Sequence, residues 1–116
     1  MDDNEDLLQL MEMALSTGGH EYESTNGGKY GLELIRKQDF DVVLLDLSMP
    51  DFSGLDVLDA LVNDGIINKQ KIVVCSASPQ SEEETKSLIE KGVHSILSKP
   101  LDPDVLLNHM EKINSE

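Results

Sequence analysis

The chain has no tryptophan, only two tyrosines and two phenylalanines, and a single cysteine among its 116 residues. One cysteine excludes an internal disulfide, so stability must come from a packed core. Cys75 lies inside an apolar run and reads as a small buried filler, because a reactive thiol needs an electropositive, exposed setting. Bases are scarce: nine Lys and Arg stand against 23 Asp and Glu, a formal charge of −14. Such a surface repels phosphate backbones, which argues against a direct nucleic-acid partner and favours a divalent cation or a basic protein surface. No stretch approaches the roughly 18 apolar residues needed to cross a bilayer, so no membrane insertion is expected. The opening Met1-Asp2-Asp3-Asn4-Glu5-Asp6 is acidic, the opposite of a secretory signal, and the expected location is the cytoplasm. There is no repeat, low-complexity tract or linker, and the length fits one domain spanning 1–116.

What is present is alternation. Residues 4–17 place Leu7, Leu8, Met11, Ala14 and Leu15 on one helical stripe, closed by Gly18-Gly19. Residues 20–25 read as a short polar edge strand. A second helix is expected over 27–37, with Tyr30, Leu34 and Ile35 inward and Gly27, Gly28 and Gly31 weakening it. Asp41-Val42-Val43-Leu44-Leu45-Asp46 is a strand buried on both faces. A helix over 54–63 follows, capped by Ser53; Leu55, Leu58, Ala60, Leu61 and Val62 cover so wide an arc that it should be well buried. Lys71-Ile72-Val73-Val74-Cys75 is another buried strand. Ser81-x-x-Glu84 is a capping box opening a helix that Gly92 ends. Residues 93–98 form a short strand, and Asp102-Pro103 starts a last helix on Val105, Leu106, Met110 and Ile113.

Strands joined by helices demand parallel pairing and right-handed crossovers, with helices on both faces of the sheet. The carboxyl ends of the strands then share one edge, where open α/β sheets bind ligands. Asp46, Ser76 and Lys99 each fall at such an end. Asp2-Asp3 sits where a strand ahead of the first helix would have just finished. Three carboxylates gathered there repel one another unless a cation intervenes, and Mg²⁺, a hard ion held by one or two carboxylates plus phosphate oxygens, suits them. An aspartate can also attack a phosphoryl group and carry it as an aspartyl-phosphate. The histidines (His20, His94, His109) show no ligand spacing and read as surface residues.

Taken together, Asp2-Asp3, Val42 to Pro50 with Ser53-Gly54, Ile72 to Ala77, and Ser98-Lys99-Pro100 resemble the receiver domain of two-component response regulators over nearly the whole chain. Each segment alone is weak; all four in order on the right elements are specific. The resemblance implies a flavodoxin-like, doubly wound parallel sheet of order 2-1-3-4-5. It implies that Asp46 accepts phosphoryl from a sensor histidine kinase or phosphotransfer protein. Mg²⁺ would be held by Asp3, with Asp2 close by, Asp46 and the Ser48 backbone carbonyl. Lys99 would pair with one phosphoryl oxygen and Ser76, followed by Ala77, would hydrogen-bond another. A cis Lys99-Pro100 bond is implied as well. The implied output is a change in the surface bound by a downstream protein target, with no output domain in the chain, no metabolite turned over and therefore no enzyme label. A homodimer is compatible with it.

Two departures stand out. The first strand of the pattern is missing, so the chain is expected to be truncated, with Met1 in the place of that strand's last apolar residue. Ile96 occupies the position where the family has a Tyr or Phe, so switching by an aromatic swing is not expected. Both favour an alternative, a receiver-like interaction module independent of phosphorylation. A haloacid-dehalogenase-type phosphatase would want a second Asp two residues after Asp46, where Ser48 stands. A flavodoxin-like cofactor binder would want a Ser/Thr/Gly-rich phosphate loop, where Asp2-Asp3 stands.

Overall fold

Apolar runs of five or six residues alternate with helical stripes, and the computed structural model follows that alternation. It describes residues 1, 2, 4–19, 22–25, 27–38, 40–47, 52–76, 81–99 and 102–114, with the backbone alone at Thr17 and Asn114. Among these, five helices and three strands run in the order α1 (Glu5–Thr17), α2 (Gly28–Lys37), β1 (Val42–Asp46), α3 (Gly54–Asn63), β2 (Lys71–Ser76), α4 (Glu82–Lys91), β3 (Ser95–Ser98) and α5 (Pro103–Asn114). The strands form one parallel sheet, β1-β2-β3, with Asp46 opposite Cys75 and Ser76 opposite Ser98.

Local chemistry sets the helix ends. The Asn4 side chain accepts from the Leu7 amide at the start of α1. Ser53 and Asp56 exchange a reciprocal capping box at α3. Ser81 accepts from the Glu84 amide at α4, and Gly92, at φ 118°, closes that helix in the left-handed region that suits glycine.

Side-chain alternation divides the core between the two faces of the sheet. Val43, Leu45, Ile72 and Val74 pack with Leu32 and Ile35 of α2 and with Val57, Leu58 and Leu61 of α3. Val73 and Cys75 pack with Met11 and Leu15 of α1 and with Leu106, Met110 and Ile113 of α5. A strand covered on both faces needs apolar residues at consecutive positions, which is why β1 and β2 read as unbroken apolar runs.

Several sequence expectations are corrected here. Tyr30 is 59% exposed, because the inward stripe of α2 is Gly28, Gly31, Leu32 and Ile35. The glycines are contact points rather than weak spots: a Cβ at Gly28 would press on Phe52, and one at Gly31 on the Met1 side chain. α3 is not buried all round, since Leu55 and Val62 flank the stripe of Gly54, Val57, Leu58 and Leu61 and are exposed. Val105 of α5 is exposed too. Of the expected edge strand, His20 and Glu21 lie outside the described residues, and 22–25 make no ladder. The Thr25 carbonyl accepts a hydrogen bond from the Asp2 amide, one contact where a strand needs a repeating series.

Burial pushes the Cys75 thiol up to about 11, with the Met1 amino group and Lys99 pulling the other way. About one molecule in a thousand would carry the thiolate at pH 8, so the native protein should resist alkylation by iodoacetamide and react once denatured. Stoichiometric labelling of the native fold would contradict this packing. Gly54 opens α3 directly against the Asp46 carbonyl, with no room for a Cβ. Gly54→Ala should therefore cost on the order of 1–3 kcal/mol through overpacking, read as a lower melting temperature; an unchanged melt would refute the close approach.

Candidate functional site

Parallel pairing delivers the ends of β1, β2 and β3 to one edge. Asp46 is the last residue of β1, Ser76 the last of β2, and Lys99 directly follows β3. The edge is tied together beyond the strands, with the Leu47 amide donating to the Cys75 carbonyl (3.4 Å) and the Lys99 amide to the Ser76 carbonyl (2.8 Å). On the other side of β1, the Met1 nitrogen donates to the Leu44 carbonyl at 2.6 Å and the Asp46 amide to the Met1 carbonyl at 2.9 Å. Met1 thus runs beside β1 in the manner of a strand residue and leaves Asp2 next to Asp46.

The Lys99 ammonium bridges the two acids, with Nζ 2.6 Å from Asp2 Oδ2 and 3.2 Å from Asp46 Oδ2. The acids are 1% and 5% exposed at the side chain and Lys99 is 17% exposed. The other Asp2 oxygen, Oδ1, accepts from the Asn4 amide at 2.9 Å. Burial by itself lowers the Lys99 pKa, but hydrogen bonds and charge from Asp2 and Asp46 outweigh it and leave the group above its ordinary value. Lys99 is therefore a fixed cation at neutral pH. Ser76 is buried at the same edge.

The donor set fits a hard divalent ion. Two buried carboxylates lie together beside the Lys99 ammonium, and their oxygens are the ligands such ions prefer. Among the described residues no three His, Cys, Asp or Glu side chains converge. Asp3 and Ser48, the other implied ligands, lie outside the described residues, as do Ala77 and the Lys99-Pro100 bond.

Ile96 pairs with Val74 and packs, half-buried, against the core under α2 and α3, so an aliphatic side chain fills the position implied for a ring. One residue of the site was missed from sequence. Asn4 caps α1 with its side chain while its amide holds Asp2, and the Asx signal before a helix was the available clue. Gly54 was noted only as part of the family pattern, and its contact with the Asp46 backbone left no local signal. The reading of all three histidines as surface residues is also corrected. His94 and His109 are half-buried at the far end of β3, both hydrogen-bonded to Ser95 Oγ, at 3.0 and 2.7 Å. Their rings face each other edge-on, with centroids 6.4 Å apart. His20 lies outside the described residues.

Comparison with known proteins gives the family and the fold. Residues 1–111 match the response regulator receiver domain family. Over 99 residues the chain is 37% identical to the nitrate/nitrite response regulator protein NarP of Escherichia coli K12, covering 85% of this chain and 44% of that protein. It is 28% identical to the cell cycle transcriptional regulator CtrA of Caulobacter vibrioides, covering 97% and 48%. The chain thus spans about half the length of these curated relatives. Among solved structures, the Francisella response regulator 1452 receiver domain superposes with a TM-score of 0.87 at 25% identity, covering 98% of this chain and 92% of that one. The flavodoxin-like parallel α/β fold is therefore shared, and the chain belongs to the response-regulator receiver domain family.

Proposed function

We propose that the chain is the phosphoacceptor of a two-component system. An Asp46 carboxylate oxygen attacks the phosphorus of a phosphohistidine on a sensor kinase or phosphotransfer protein. The N–P bond breaks, imidazole leaves, and the phosphoryl group remains on Asp46 as an acyl phosphate. The observation that carries this reading is the Lys99 ammonium held between Asp46 and Asp2. Phosphoryl transfer needs an in-line nucleophile and cationic partners for the equatorial oxygens, and little else from the protein. Lys99 would exchange its contact with Asp46 for one with a phosphoryl oxygen while staying anchored on Asp2. Ser76 would donate its hydroxyl to a second oxygen. Bound by Asp2, Asp46 and the implied Asp3 and Ser48, Mg²⁺ would supply positive charge against the phosphoryl oxygens.

The finer topology belongs to the same proposal. We read Met1-Asp2 as the end of a central strand in a 2-1-3-4-5 sheet, supported by its hydrogen bonds to both Thr25 and β1. Output would pass through the face near α4 and α5 to a downstream protein. Since Ile96 has no ring to swing, the displacement of Ser76 would carry the switch. The proposed setting is the cytoplasm, where a kinase can reach it; no described helix is long and apolar enough to cross a membrane. No metabolite is turned over.

Incubation with acetyl phosphate and Mg²⁺ should add one phosphoryl mass, and Asp46→Asn should abolish the gain. A full gain in Asp46→Asn would overturn the assignment, and no gain in the parent chain would favour a module independent of phosphorylation. Lys99→Ala should slow phosphorylation roughly 100-fold, the scale expected for losing one preorganised charge partner. The raised Lys99 pKa also sets a sign for stability. The contribution of the contact is complete below the unfolded lysine value of about 10.4 and is lost as pH rises through the folded value. Melting temperature should fall more steeply above that pH in the parent than in Lys99→Met; parallel curves would show that the bridge is not coupled to folding.

A further inference from the structure

At the amino end of β3 two imidazoles meet one hydroxyl. Val73 pairs with Ser95 and packs on the α1 and α5 side of the sheet, so alternation turns Ser95 to that side and Ile96 to the other. On α5 the inward stripe is Leu106, Met110 and Ile113, and His109 stands one turn from the first and the last of these. That spacing leaves it half-buried at the edge of the stripe. His94 comes two residues after Gly92 closes α4, and its amide donates to the Ile72 carbonyl at 2.8 Å, which fixes the backbone from which its ring extends. Ser95 Oγ then lies 3.0 Å from His94 Nδ1 and 2.7 Å from His109 Nε2. With both rings neutral, the single hydroxyl proton serves one of these nitrogens, and the other ring presents its own N–H to the oxygen.

We propose that His94 and His109 form a binding site for a transition-metal dication that prefers imidazole, of the class of Ni²⁺, Cu²⁺ and Zn²⁺. The two nitrogens converge on one point, and each stands within about 1 Å of the 2.0–2.1 Å at which imidazole binds such ions. An ion at that point takes the place of the hydroxyl. Both rings then turn lone pairs to it and carry their protons on the opposite nitrogens, so one ring changes tautomer and no proton has to leave the pair. Among the described residues no third His, Cys, Asp or Glu joins them, and water fills the remaining positions, as a half-buried site allows. Mg²⁺, which takes carboxylate and phosphate oxygens, finds no such ligand here. The formal charge of −14 raises the concentration of cations around the protein. A bound ion ties the start of β3 to the middle of α5. Ser95 opens β3 and Lys99 follows it, roughly 13 Å away at the opposite edge of the sheet, so this inference does not depend on the phosphoacceptor reading.

The test titrates Ni²⁺ into the full chain with excess Mg²⁺ present to compete for the Asp2 and Asp46 carboxylates. Paramagnetic broadening should remove the amide NMR signals of His94, Ser95 and His109 before any others. Calorimetry should show His94→Gln and His109→Gln each weakening the binding at least about tenfold, the lower end of what loss of a metal-site partner costs. Ser95→Ala should bind at least as tightly as the parent, because the ion takes the place of the hydroxyl. His20→Gln, the control for histidine content, should bind like the parent. Broadening centred on Asp2 and Asp46, equal affinity in the parent and both histidine variants, weaker binding in Ser95→Ala, or an equal loss in His20→Gln would each overturn the proposal.

Discussion

One ammonium between two buried carboxylates is the contact on which the proposed phosphoacceptor chemistry rests. Lys99 follows β3, Asp46 ends β1 and Asp2 lies beyond Met1, three places far apart in the chain. They meet because parallel strands share one carboxyl edge. A buried ion triad of this kind is a poor way to stabilise a fold, since desolvating the charges offsets much of their attraction. In the proposed reading, the carboxylate oxygens would serve a divalent ion, and an ammonium anchored on Asp2 would meet an incoming anionic group at Asp46.

The rest of the structure holds that contact still. β1 and β2 carry apolar residues at consecutive positions because α2 and α3 cover one face of the sheet and α1 and α5 the other. Gly54 lets α3 begin hard against the Asp46 carbonyl, and Gly28 and Gly31 let α2 close on Phe52 and Met1. Close approach of backbone therefore recurs around the site, and in each case the smallest residue makes it possible. Beside β1, among the described residues, Met1 makes the two backbone hydrogen bonds, to Leu44 and from Asp46.

Much of this was legible in the sequence because it rests on local rules. The caps at Asn4, Ser53 and Ser81, the left-handed Gly92 and the apolar runs of β1 and β2 are each written within a few residues. The site residues Asp46, Ser76 and Lys99 were legible for the same reason, as polar residues at the ends of apolar runs. What sequence reading got wrong depends on distant neighbours. Tyr30 belonged to the inward stripe by residue type, yet Gly28 and Gly31 take that face because Phe52 and Met1 come too close for anything larger. Leu55, Val62 and Val105 are apolar and exposed, since a helix on a sheet buries one stripe and its flanks stay in water. His94 and His109 show no spacing that a motif would reveal, because one stands just before β3 and the other on α5, and folding brings them together beside Ser95.

By itself, then, the order of residues determined the five helices, the three strands of the sheet, their parallel pairing and the edge at which Asp46, Ser76 and Lys99 gather. Periodicity, capping and strand-end position are properties of a few neighbouring residues, and they are set before any packing occurs. Tertiary structure alone decided which acid Lys99 grips most tightly and which face of α2 turns inward. Those outcomes depend on distances between segments brought together only by packing, and no local pattern encodes such a distance.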